Sequence, residues 1–333
     1  MLGTTAVFWV ATALSADLST AAKLGNRTSL CAPRRGPSGS GMSRSVPAGS
    51  GQSASAQSGE PAAPDAWDQV RERGRLQLCR RLARAQLALG TRPELALQLA
   101  RELAQELPER AEPRVIEAQA QTRRRAFADA WVAWQAARPH GDEPLAAHAL
   151  RDYAICAAMT GHAEAALASY RRLLPLLEAW PDPVDQQAIY LEAAVAAMQR
   201  GPEGLEEATG QLAAARARAT STGLRAVAAG LSALWAARRG GVASGEGRLD
   251  APEVWHFVDS LQRDRWPARW PVVPAHELFG AAALLIEPYS DTRAAEFWQR
   301  HAAGLEQASA PERWRALAAE RLGHGKPAPR SAP

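Results

Sequence analysis

The residues in this chain that come nearest to a known reactive pattern are His276 and Glu277, which open like the zinc-binding helix HExxH. That motif needs its second histidine on the same helix face, four positions after the first. Position 280 is glycine, so the second ligand is missing. The seven histidines are scattered, and no CxxC accompanies Cys31, Cys79 and Cys156. A metal site therefore has no ligand set here. A phosphate loop GxxxxGK[ST] and a nucleophile elbow GxSxG are both absent. Gly245-Glu246-Gly247 reads as a turn, because no strand leads into it as a dinucleotide fingerprint requires. Asp182 and Asp185 flank prolines, which suits helix capping better than acid–base work. The sequence points to no catalytic residue, cofactor or metal.

Two other residue classes stand out. Lys23 and Lys326 are the only lysines, so the net charge of +4 rests on arginine. Arg123-Arg124-Arg125, Arg200 and Arg238-Arg239 fall where helices are expected to end, and cations there favour the helix dipole. There are 11 tryptophans, and RDRWPARWPVVP at 263–274 alternates arginine with Trp266 and Trp270. Such alternation makes cation–π patches, although a loop pinned to the body by its two rings is the plainer reading.

What positions these residues is a helical body between two irregular ends. The 333 residues are 47% hydrophobic and 22% charged, as in a globular protein. Residues 6–16, AVFWVATALSA, are too short to cross a bilayer. They have the length of a secretory signal core, with small residues for cleavage. No Lys or Arg precedes them, and Met42 offers a second start. We read export to the periplasm ahead of a cytoplasmic location. Cys31 follows Leu30, which does not suit lipid attachment. Residues 17–65 are rich in Ser, Gly, Ala and Pro, and read as disordered linker. Residues 323–333 read as a disordered tail.

From Trp67 to about Leu322 the apolar spacing is helical throughout, with no alternating strand pattern. Ala147–Trp180 reads as two amphipathic helices joined at Gly161, with Ala154 and Ala166 placed to let them lie close. The same small residues recur: Ala83, Ala118 and Ala154 in first helices, and Ala96, Ala130 and Ala166 in second helices. The steps are 35 and 36 residues in one series and 34 and 36 in the other. Cys79 and Cys156 then fall inside first helices, as buried free thiols. In the second hairpin the turn has Arg125 where the third has Gly161.

This pattern resembles the tetratricopeptide repeat over residues 76–180. The resemblance implies an all-α, right-handed superhelical solenoid of antiparallel helix pairs. Repeats over 66–222 would be followed by diverged hairpins and a capping helix over 223–322. Ala194 and Ala208 mark a fourth pair, GLRAVAAGLSALWAARR and PEVWHFVDSLQRD a fifth, and AHELFGAAALLIE and DTRAAEFWQRHAAGLEQ a sixth. The family binds peptides on the face formed by its first helices. Matching positions are Gln77, Arg80 and Arg84, then Glu112, Val115, Gln119, Thr122 and Arg123, then His148, Arg151, Ile155 and Met159. Arg80, Arg84, Gln119, Arg123, His148 and Arg151 are the expected partner-binding residues. Four arginines against one glutamate imply a protein or peptide partner that is acidic. Nucleic-acid binding by the same arginines is a less favoured alternative. An enzyme with its site after residue 184 is another.

Overall fold

The computed structural model describes residues 66–137, 145–180, 182–218, 221–240, 249–263 and 271–324. The expected export signal, the linker, most of the tail, Trp266, Trp270 and Gly245–Gly247 lie outside the described residues. Among the described residues there are thirteen α-helices and no strand. No helix among them is long and apolar enough to cross a membrane.

The helices fall into two compact units. The first contains α1 (Ala66–Ala88), α2 (Pro93–Glu106) and the opening turns of α3 (Ala111–Arg123). Helices α1 and α2 form a hairpin around Leu82, Ala85, Leu89, Leu97 and Leu103, all buried. Pro93 starts α2 where a missing N–H costs nothing. The small residue facing α2 is Ala85, fully buried, whereas Ala83 is exposed. Leu82 and Leu89 set the inward face of α1, and Ala83 lies off it.

The second unit begins within α3 and continues through α4 (Phe127–Ala137), α5 (Ala147–Met159), α6 (Ala163–Leu173), α7 (Pro183–Gln199) and α8 (Leu205–Ala217). Helices α9 (Thr222–Arg238), α10 (Ala251–Gln262), α11 (Ala275–Ile286), α12 (Asp291–Gln307) and α13 (Glu312–His324) complete it. Ala118, Ala130, Ala154, Ala166, Ala194 and Ala208 are all fully buried. The helix pairs α5–α6 and α7–α8 pack closely where these alanines stand. Tyr170 and Leu173 fill the space beside Ala166 and are themselves fully buried.

The turns have a physical signature. Between α3 and α4, Ala126 N–H donates to the Gln121 carbonyl at 3.0 Å and Arg125 N–H to that of Thr122 at 2.9 Å. His162 and Gly161 repeat this pair between α5 and α6, the Schellman closure of a helix. It requires positive φ, which is 81° at Gly161 and 60° at Arg125. Between α7 and α8 a short 3₁₀ turn, Gly201–Gly204, takes up the longer connection. Asp182, Ser221 and Ser290 accept N–H bonds at the starts of α7, α9 and α12.

Beyond α8 the pairing changes. Helices α11 and α12 form the tightest hairpin, and α9 packs more extensively on α11 than on α10. Three glycines permit this. A Cβ on Gly230 would meet Ala281 and Leu285, one on Gly280 would meet His301, and one on Gly304 would meet His276. Trp235, Phe257, Phe297, Trp298 and Trp314 build the core of this half.

Candidate functional site

The expected partner-binding residues divide between the two units. Arg80 and Arg84 belong to the first; Gln119, Arg123, His148 and Arg151 belong to the second. They also divide by what they do.

In the second unit the arginines are turned onto acids of the next first-in-pair helix. Gln119 of α3 is buried and donates to Asp152 Oδ2 of α5 at 2.8 Å. Arg123 donates to the same oxygen at 3.2 Å. Arg151 of α5 repeats the arrangement one helix on. It grips Glu192 of α7 through Nε to Oε2 at 3.1 Å and Nη2 to Oε1 at 2.9 Å, with Asp185 at 3.7 Å. Arg151, expected on the solvent face, keeps only 17% of its side chain exposed. Burial by itself pushes its guanidinium down, but Glu192 and Asp185 raise it well above its ordinary value. A cation held this way is spent inside the protein. Burial, then the Glu192 charge, push the Tyr170 hydroxyl well above the usual phenol range.

Other expected face residues are also inside. Thr122 donates to the Ala118 carbonyl and accepts the Trp134 indole N–H at 3.3 Å. Ile155 is buried. His148 is exposed, with its ring edge-on to Trp180 at 4.5 Å. Trp134 is core, while its neighbour Trp131 is half-buried and stacks on His162 at 4.0 Å. Cys156 is a buried free thiol, which burial pushes up to about 11. Cys79 is disulfide-bonded, contrary to the free thiol expected.

In the first unit the picture reverses. Arg73, Gln77, Arg80 and Arg84 are exposed, and among the described residues none of them makes an ion pair or hydrogen bond. At 3.6 residues per turn they share one stripe of α1 with Leu76, Ala83 and Leu87. Leu76 and Leu87 are 44% and 56% exposed. Arg81, off the stripe, pairs instead with Glu106 at 2.5 Å.

A second polar cluster, unseen in the sequence, lies among α9, α11, α12 and α13. Arg238 Nη1 is 2.9 Å from Glu277 Oε2, with both side chains 1% exposed. The Arg238 guanidinium lies 4.0 Å over the Trp314 ring. Arg238 thus serves as a buried ion-pair partner rather than a surface cation at a helix end. Burial alone would raise the Glu277 carboxyl, yet Arg238 and His276 hold it well below the usual carboxylate range. His301 Nδ1 sits 2.6 Å from the His276 carbonyl. A carbonyl only accepts, so Nδ1 carries the proton and donates. Burial lowers His301 to about 4, with Arg238 adding to the effect against Glu277. The cluster is enclosed. Among the described residues no group of three or more His, Cys, Asp or Glu is placed to hold a metal ion.

Among the described residues the protein is all-helical, with helix hairpins in sequence up to α8, an open basic stripe on α1 and two internal ion-pair clusters. No protein-family description matches the chain, and no curated protein matches it. Among solved structures, one chain of "Structure of Naa15/Naa10 bound to HypK-THB" is similar at 12% identity and a TM-score of 0.26. The likeness covers 74% of this chain and 39% of that one, so the chain spans about two fifths of its length.

Proposed function

We propose that this chain is a non-catalytic scaffold of the tetratricopeptide-repeat type, which docks an acidic protein segment on the outer stripe of α1. The observation that carries the reading is the contrast between free and spent arginines. Arg80 and Arg84 stand one turn apart, where like charges cost a helix about 0.2–0.5 kcal/mol. Among the described residues no acid offsets that cost. Arg123 and Arg151, which carry the same residue type on matching helices, are both paired.

The stripe mixes two chemistries. Arginines grip carboxylates through paired, charge-assisted bonds. Leu76, Ala83 and Leu87 offer apolar contact beside them. An amphipathic helix carrying leucine and glutamate satisfies both.

The test uses a fluorescent peptide of leucine and glutamate at helical spacing, titrated with the full chain. Arg80→Glu with Arg84→Glu should keep the circular dichroism spectrum and weaken binding at least tenfold. Retained affinity in a folded variant removes α1 as the docking surface. If a DNA duplex displaces the peptide at physiological salt, the arginines serve nucleic acid instead.

A further inference from the structure

The segment Pro271–Pro274 runs in non-helical form into α11. The Val272 N–H donates to Glu192 Oε1 at 3.0 Å, across eighty positions of sequence. Pro271 is buried, and Val273 is 6% exposed within the core. Glu192 itself is 1% exposed, and its two oxygens already hold Arg151 from both sides. The Tyr170 hydroxyl stands 3.5 Å from Oε2. On the face where an incoming chain is expected, the protein has therefore seated a piece of its own.

The chemistry of that seat differs from the basic stripe of α1. Arg151 neutralises Glu192, so the pair offers a carboxylate lone pair without net charge. A lone pair of this kind reads a main-chain N–H, which every residue except proline carries. Selectivity must come from shape. Pro271 and Pro274 fix φ near −65°, and Pro274 restricts Val273 before it to extended backbone. The two valines between them fill the space with apolar side chains. Arg151 and Glu192 also satisfy each other without the segment, so its departure leaves no unpaired charge behind.

We infer that the face made by Glu192, Arg151 and Tyr170 is a main-chain-binding site, loaded in cis by Pro271–Pro274. Its ligand class is an extended segment with two β-branched residues between prolines and a free N–H on the first of them. A partner segment of that kind competes with the chain's own. The site is separate from α1, and its test is independent of the acidic-partner reading.

Val272→Pro removes the donor and keeps the backbone extended. The probe is a labelled peptide with the sequence of residues 270–275, titrated with the full chain. Wild type should bind it weakly and Val272→Pro at least tenfold more tightly. The same peptide N-methylated at its first valine should lose that gain. A folded Val272→Pro chain that binds no better than wild type, or binds both peptides alike, overturns the inference. Should that variant fail to fold, native-state hydrogen exchange on wild type decides. The Val272 amide should exchange through local opening, faster than the Val195 amide within α7. Exchange of both only on global unfolding would make the segment permanent structure and overturn the inference equally.

Discussion

Lowering the pH from 7 to 5 should destabilise this protein through His301. Its ring is 1% exposed and wedged against Gly280, with Trp298 edge-on at 5.5 Å. The groups around it that carry or can carry charge are Glu277, Arg238 and His276. Nδ1 already bears a proton toward the His276 carbonyl, so acid must add the second proton at Nε2 inside the core. Burial lowers the group from 6.5 to about 4. A histidine with a depressed folded value binds fewer protons folded than unfolded. The stability it supplies is therefore complete above about pH 6.5 and is lost as pH falls toward 4.

Between pH 7 and 5 that linkage amounts to about 2 kcal/mol, with about 3 kcal/mol lost once pH 4 is passed. Glu277 does not add to the loss in this window, because Arg238 keeps it ionised well below the usual carboxylate range. The assay is urea unfolding at pH 7, 6 and 5 on wild type and on His301→Gln, which keeps a donor but does not titrate. The variant starts less stable, yet its unfolding free energy should fall by about 2 kcal/mol less than that of wild type over the same interval. Equal pH dependence in the two proteins would refute the reasoning, since the proton would then be entering elsewhere.

Other outcomes follow from single side chains. Ala166→Trp should cost about 3 kcal/mol or more, because a fully buried crossing residue cannot grow without parting α5 and α6; an unchanged melting temperature would show the crossing is elsewhere. Arg125→Gly should stabilise by about 1 kcal/mol and Gly161→Ala should destabilise by about as much, both read by chemical denaturation, since each changes a positive-φ position. Glu192→Ala should cost about 3–5 kcal/mol, leaving Arg151 largely buried without its main partner, and a melting curve like that of wild type would mean Asp185 suffices.

The helices and most crossings are legible because they follow from volume and period. An alanine that admits a neighbouring helix recurs at the repeat spacing, and five of the expected positions between 118 and 208, together with Ala118 itself, are fully buried. The first crossing moves from Ala83 to Ala85 because Leu82, Ala85 and Leu89 set the buried face of α1 and Ala83 lies off it, a matter of helix rotation that alanine spacing does not report. The polar face was harder to read. Arg151 looks like any surface arginine until Glu192 arrives forty-one positions later. The signal lay with the acids: Asp152, Glu192 and Glu277 each interrupt an alanine-rich apolar stretch, where an unpaired carboxylate would be too costly to keep. Each such acid implies a cation partner, and each has one: Arg123, Arg151 and Arg238. Of the four arginines expected on the partner-binding face, Arg123 and Arg151 are paired within the fold, and Arg80 and Arg84 are left, which is why the search for a partner begins on α1.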